Sequence, residues 1–256
     1  MNLGLDGKGF LVLGASRGLG RAVAAELVGE GARVLVGARS PGGVEAVASE
    51  LGEAARGLAI DVADPDVGAV RGAVADHLGG ALDGILVNGG GPPPGRALDL
   101  SRDDWRRSFD LLLGGPLELL RALAPELRRP ASVLWITSSS VRQPIPGLDG
   151  SNALRPGVAA LVKSLARELA PDVRVNSLAP GRFDTARLRE LDTANADAAG
   201  ISVDEQRERA AQAIPLGRYG DPAELGRVAA FLLSPAASYV NGTAVQVDGG
   251  VVSAVP

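Results

Sequence analysis

Short apolar runs alternate along this chain with stretches in which apolar residues recur at helical spacing, the pattern of buried strands separated by amphipathic helices. Phe10 to Leu13 reads as a strand, and Leu19, Val23, Leu27 and Val28 mark the helix after it, which Gly29 and Gly31 end. Arg33 to Val36, Leu58 to Val62, Ile85 to Val87, Ser132 to Ile136, Val173 to Leu178 and Ala244 to Val247 read as further strands. The helices predicted between them cover Val44 to Leu51, residues 66–79, Trp105 through Leu120, Leu154 to Leu169, and Asp221 to about Leu233. Gly114-Gly115-Pro116 is expected to interrupt the third of these, and Pro156 to delay the start of the fourth. Ser101 with Asp104, and Asp221-Pro222 with Glu224, have the form of helix starts. The alternation lapses from Asp184 to Ile214 into a charged, Ala-rich segment that is too long for an idle connection, and it is read as a lid over the active face.

Between the first strand and its helix lies Gly14-x-x-x-Gly18-x-Gly20. Glycines permit a sharp turn and let backbone approach a pyrophosphate, while the free N–H groups and positive dipole end of the following helix attract the anion. Arg39 follows the second strand, where a site built for NAD usually carries an acid to hold the ribose. Together with Arg17 inside the glycine turn, it points to the 2′-phosphate of NADP(H), the alternative being two solvated arginines. Asp61 either accepts from an adenine amino group or caps the next helix. Asn88-Gly89-Gly90-Gly91, followed by three prolines, offers bare backbone to a flat cofactor.

Composition narrows the function classes. With 256 residues and 46% hydrophobic content the chain suits one α/β domain, residues 1–256, without internal repeat or linker. It has no cysteine and a single histidine, His77, read as a surface residue, so no metal site is expected. A net charge of −4 argues against a nucleic-acid partner. No apolar run is long enough to cross a bilayer, and the opening residues lack the pattern of a secretory signal, so no membrane partner is expected and the cytoplasm is the expected location.

These residues resemble the short-chain dehydrogenase/reductase family along essentially the whole chain. The likeness is carried by Gly14-Ala15-Ser16-Arg17-Gly18-Leu19-Gly20, Asp61-Val62, Asn88-Gly89-Gly90-Gly91, Asn176, Pro180-Gly181 with Thr185, and Val247-Asp248-Gly249-Gly250. The resemblance implies a single-domain, Rossmann-type doubly wound sheet of seven parallel strands, in the order 3-2-1-4-5-6-7 with helices on both faces. It further implies a nicotinamide cofactor held by those motifs, a small-molecule substrate, and a homo-oligomer, tetramer or dimer. The branch it looks most like contains the 3-oxoacyl-carrier-protein reductases.

The family's catalytic set is Asn, Ser, Tyr and Lys, and here the chain departs from it. Ser138 matches the serine, but Ser151 falls in the tyrosine's place, Arg155 in the lysine's and Leu112 in the asparagine's. The family's tyrosine protonates the alkoxide formed as hydride arrives; a serine hydroxyl is a far weaker acid. General acid catalysis is worth roughly 10²–10⁴-fold, so its loss raises the barrier by about 3–5 kcal/mol. Arg155 stays charged and cannot shuttle a proton, yet its donors remain able to hold the nicotinamide ribose. The alternative for Ser138, Ser151 and Arg155 is that they only cap a strand and a helix. Three readings of the whole follow: a slow oxidoreductase that suits a carbonyl or, better, an activated double bond; an NADP(H)-binding protein without turnover, a sensor or the silent subunit of an oligomer; and a scaffold that has lost the cofactor too.

Overall fold

The computed structural model describes residues 2–254. Its centre is a sheet of seven parallel strands in the order β3-β2-β1-β4-β5-β6-β7: β1 (Gly9–Leu13), β2 (Arg33–Ala38), β3 (Ala55–Ala59), β4 (Leu82–Val87), β5 (Leu127–Ile136), β6 (Val173–Pro180) and β7 (Ala244–Val247). Successive side chains of a strand face opposite ways, so the apolar runs feed two cores at once. Leu11, Leu13, Val133 and Trp135 join one core, while Phe10, Val12, Leu134 and Ile136 join the other. Helices α3 (Val67–Leu78), α5 (Gly115–Leu123) and α6 (Asp149–Glu168) cover the first face. Helices α1 (Gly18–Gly29), α2 (Pro41–Leu51) and α9 (Pro222–Leu233) cover the second. The chain winds outward from β1 to β3 and then returns to place β4 on β1's other side, which opens a crevice at the carboxyl ends of β1 and β4.

Several elements differ from what periodicity predicts. The third strand is β3, three residues earlier than expected, so Asp61 and Val62 lie in the loop beyond it rather than at its end. Asp61 accepts a hydrogen bond from Ala63 N at 3.0 Å, and the helix that follows is capped by Asp66 instead. β3 is an edge strand with a half-exposed pattern, which leaves little apolar signal to fix its limits. His77 is half-buried, with Nε2 3.2 Å from the Ala54 carbonyl, and burial lowers its pKa.

Gly114-Gly115-Pro116 does not break the helix. α4 (Arg102–Phe109), capped by Ser101 and Asp104, passes through a π-helical turn over Asp110–Gly114 directly into α5. Proline at position 116 removes one i→i−4 bond and crowds the carbonyl four residues back, and the wider turn accommodates both. Gly115 also packs on the Val62 carbonyl, where a Cβ would come within 1.9 Å. Leu112 therefore sits buried in the π turn.

Pro156 does not delay its helix either: α6 begins at Asp149 and runs through the proline. Its first turns are fastened from outside. Asn152 accepts from Ile145 N at 3.0 Å and donates to Ile145 O at 2.8 Å, and Asp149 accepts from Ala97 N at 2.9 Å. These bonds offset the one that Pro156 cannot make.

The segment 184–214 is two helices, α7 (Ala186–Ala199) and α8 (Val203–Gln212), each started by a side-chain cap, Thr185 and Ser202. The far end of the sheet is pinned by Asn176, fully buried, which donates to Val240 O at 2.8 Å and accepts from Thr243 N at 3.1 Å. Asn176→Ala leaves both groups without partners in a dry site, so urea unfolding should show a stability loss of about 2–3 kcal/mol. A loss below about 0.5 kcal/mol would mean that the β6–β7 connection does not depend on this side chain.

Candidate active site

The carboxyl ends of β1, β4, β5 and β6 converge on one edge of the sheet, and the polar residues singled out by sequence lie there. Gly14 has φ +63° and approaches Asn88 so closely that a Cβ would stand 2.0 Å from the Asn88 carbonyl. Asn88 answers by donating Nδ2 to Gly14 O at 3.2 Å. Gly20 packs on the same Gly14 carbonyl, where a Cβ would come within 2.3 Å. The turn therefore folds tightly on itself, with bare backbone at both glycines.

α1 begins from this turn at Gly18 with no side-chain cap on its N-terminal amides and no acid in its first turn. Ser40, Asp66, Ser101, Thr185, Ser202 and Asp221 cap α2, α3, α4, α7, α8 and α9. The uncapped N–H groups carry the positive end of the helix dipole toward the crevice, an arrangement that receives phosphate. Ser16 lies against the start of α2, where a Cβ on Gly43 would stand 3.1 Å from the Ser16 Cβ. Arg39 is exposed beyond β2 and makes no ion pair among the described residues. Arg17 is also exposed, with Nη1 3.4 Å from Glu190 Oε1 on α7. Thr185 lies over the turn, since a Cβ on Gly18 would meet its methyl group at 3.5 Å. Bare glycine backbone, an uncapped helix and an unpaired arginine fit a dinucleotide that carries phosphates.

At the other end of the crevice stand Ser138, Ser151 and Arg155. Ser138 follows β5, and its Oγ accepts from Ser140 N at 3.1 Å. Ser151 and Arg155 lie one turn apart on α6, so their side chains share a face, and Arg155 Nε donates to Ser151 Oγ at 2.9 Å. Arg155 also donates Nη1 to Ile136 O at 3.1 Å and to Thr137 O at 2.7 Å, and Nη2 to Gly90 O at 3.0 Å. Four of the five guanidinium N–H groups are thus engaged, and the side chain ties the ends of β4 and β5 to α6. Burial pushes its pKa down to about 10, which leaves it charged at neutral pH, and no carboxylate pairs with it among the described residues.

No phenol or ammonium replaces the pair that sequence found missing. Tyr219 donates its hydroxyl to Asp192 at 2.9 Å, Tyr239 is fully exposed, and Lys163 donates to Gly242 O at 2.8 Å. Leu112, buried in the π turn, offers no polar group. Pro180 ends β6, and Gly181 N donates to Val247 O at 3.0 Å, which sets the exit from β6 beside β7.

Sequence reasoning missed the anchorage of α7 and α8. Asp192 on α7 is fully buried and accepts from Arg182 Nη1 at 3.0 Å, Tyr219 Oη at 2.9 Å and Arg207 Nη1 at 3.5 Å. The Arg207 guanidinium also stacks 4.8 Å from the Tyr219 ring centre and donates to Asp184 at 3.0 Å. Burial, then the bond to Asp192, raises the Tyr219 pKa. The hydrogen bond from Arg189 holds the Asp184 carboxyl below its ordinary value, with Arg207 adding to the effect. The only trace in the sequence is a density of arginine and acid without an apolar stripe.

Fold and site together define a Rossmann-type protein. A family model described as "Enoyl-(Acyl carrier protein) reductase" matches residues 14–252. The chain is 34% identical over 253 residues to the 3-oxoacyl-[acyl-carrier-protein] reductase FabG of Vibrio cholerae, covering 97% of this chain and 99% of that protein. L-sorbose reductase from Gluconobacter frateurii, solved with NADPH and L-sorbose, superposes with a TM-score of 0.94 at 27% identity, covering all of both chains. An NADPH-bound short chain oxidoreductase from Pseudomonas aeruginosa PAO1, described as containing an atypical catalytic center, gives 0.86 at 30% identity, over 97% of this chain and 98% of that one. This chain belongs to the short-chain dehydrogenase/reductase family of oxidoreductases.

Asp192→Asn removes the charge on which three donors converge. It should raise the rate of proteolytic nicking within residues 184–214 by at least about tenfold, because one partner of a buried charge network is lost. Acid should act in the same direction in the unmutated protein. The depressed Asp184 pKa contributes anchorage that is complete above the carboxyl's ordinary value and is lost as pH falls through the lower folded value. Nicking that is indifferent to both changes would show that the cluster does not hold these helices.

Proposed function

We propose that this protein is an NADP(H)-dependent oxidoreductase that transfers hydride to a carbonyl or an activated double bond of a small molecule, and that it turns over slowly. The observation that carries this reading is the uncapped start of α1 beside an unpaired Arg39. Gly14, Ser16, Gly18, Leu19 and Gly20 hold the pyrophosphate, Arg17 and Arg39 the 2′-phosphate, and Asp61 and Val62 the adenine. Asn88, Gly89, Gly90, Pro180, Gly181 and Thr185 line the nicotinamide half, with Arg155 behind it. A reduced nicotinamide supplies a hydride when bound. Ser138 holds the substrate oxygen, and α7 with α8 forms the lid. NADPH in two of the superposed structures agrees with the cofactor choice.

The protein works in the cytoplasm as a homo-oligomer, tetramer or dimer. Phe109 on α4 and Leu117 on α5 are exposed apolar side chains suited to an interface, and no described helix is long and apolar enough to cross a membrane. The second reading, an NADP(H)-binding protein without turnover, is favoured by one fact: the Arg155 donors that would meet a ribose are largely engaged with the protein itself.

Fluorescence titration tests the cofactor. NADPH should bind more tightly than NADH, and Arg39→Ala should weaken NADPH by about tenfold while leaving NADH unchanged, since charge-assisted bonds to one phosphate are removed. Equal affinity for the two dinucleotides would contradict the assignment of Arg17 and Arg39.

A further inference from the structure

Arg155 is a buried cation with no anion beside it. Its bonds to the carbonyls of Ile136, Thr137 and Gly90 and to the Ser151 hydroxyl satisfy four of its five N–H groups but leave its charge uncompensated. Such a charge is costly to hold in a dry interior, and negative charge arriving next to it is stabilised correspondingly. The two serines share a second property. Ser151 Oγ accepts from Arg155 Nε and Ser138 Oγ accepts from Ser140 N, while neither hydroxyl donates to any group among the described residues. Both hydroxyl hydrogens are therefore available to an incoming oxygen, and the guanidinium bonded to Ser151 is also bonded to the carbonyl of Thr137, next to Ser138. One N–H remains free on the guanidinium, too few for the two-pronged grip that a carboxylate takes, so the site suits an anion that presents a single oxygen.

We propose that Ser138 and Ser151, backed by Arg155, form an oxyanion pocket for an enolate, and that the substrate is an α,β-unsaturated carbonyl compound reduced at its double bond. The proposal rests on the hydride-transfer reading above and selects between its two substrate classes. Hydride addition forms a C–H bond at the β-carbon and breaks the C=C π bond. The electron pair moves to the carbonyl oxygen, which stays anionic in the pocket, and water then protonates the α-carbon. The reductant is the reduced nicotinamide dinucleotide, oxidised by two electrons. A saturated ketone would instead leave an alkoxide, a much stronger base that needs an acid at once, and neither serine nor arginine supplies one. An enolate spreads its charge and can wait for solvent.

The pocket is read without turnover by 4-nitrophenol, whose anion absorbs in the visible, bound to the NADP⁺-loaded protein. The bound phenol should ionise at lower pH than the free one. Ser151→Ala should weaken phenolate binding by about tenfold to a hundredfold with neutral phenol binding unchanged, as loss of one hydrogen bond to a charged oxygen requires. Arg155→Lys, which keeps a charge should Arg155→Met fail to fold, should retain part of the ionisation shift. In parallel, an enone and its saturated ketone are each offered with NADPH in deuterated water. The enone should give the saturated carbonyl product with solvent deuterium at the α-carbon only, and the ketone should be poorly reduced. An undisturbed phenol pKa, or alcohol as the main product, overturns the inference even if NADPH is oxidised. A lowered phenol pKa with no oxidation by either compound upholds the pocket and removes the hydride-transfer reading instead.

Discussion

An α-helix that starts without a side chain on its first amides, at the point where a parallel sheet reverses its winding, must find an anion elsewhere or leave those amides to water. α1 is such a helix, and its neighbours in the chain show how readily a cap is supplied where none of this is needed. Keeping the amides clear requires that residue 14 approach Asn88 and that residue 20 sit on the Gly14 carbonyl, and both positions exclude a Cβ. The sheet order, the two cores and the loops after β2 and β4 frame the crevice that runs from those amides toward β5.

The opposite end of the crevice is organised by a different balance. Where the family pairs an acid with a mobile ammonium, this chain has a guanidinium fixed by four hydrogen bonds and a serine that it polarises. Arginine's planar fork suits the role of a brace, because it reaches carbonyls of two loops at once and stays protonated. The same exchange removes the proton donor. The brace fixes a positive charge beside Ser151 without offering a group that releases a proton near neutral pH. α7 and α8 are fastened through Asp192, and α7 meets the glycine turn where the Thr185 methyl faces Gly18 and Glu190 pairs with Arg17.

Most of the frame was legible in the sequence because parallel strands are buried on both faces and read as short apolar runs. β1, β2, β4 and β6 lie where those runs lie. The edge strand β3 was displaced because half-exposed residues such as Arg56 carry no such signal. The helix through Gly114-Gly115-Pro116 and the one through Pro156 run against local propensity for one shared reason: contacts from outside the helix, at Val62 in one case and at Ile145 and Ala97 in the other, accompany them. The substitution of Ser151 and Arg155 was legible by spacing alone. That Arg155 grips Gly90 and Thr137, and that Asp192 gathers Arg182, Arg207 and Tyr219, depends on residues far apart in the chain and had no local pattern to betray it.

Anion binding by the first turn of α1 is reported most directly by its amide resonances. Titrating the ¹⁵N-labelled protein with NADPH should shift the amide protons of Gly18, Leu19 and Gly20 strongly downfield, as new hydrogen bonds to phosphate form. Saturable NADPH binding that left those three amides where they were, or no binding at all, would contradict it.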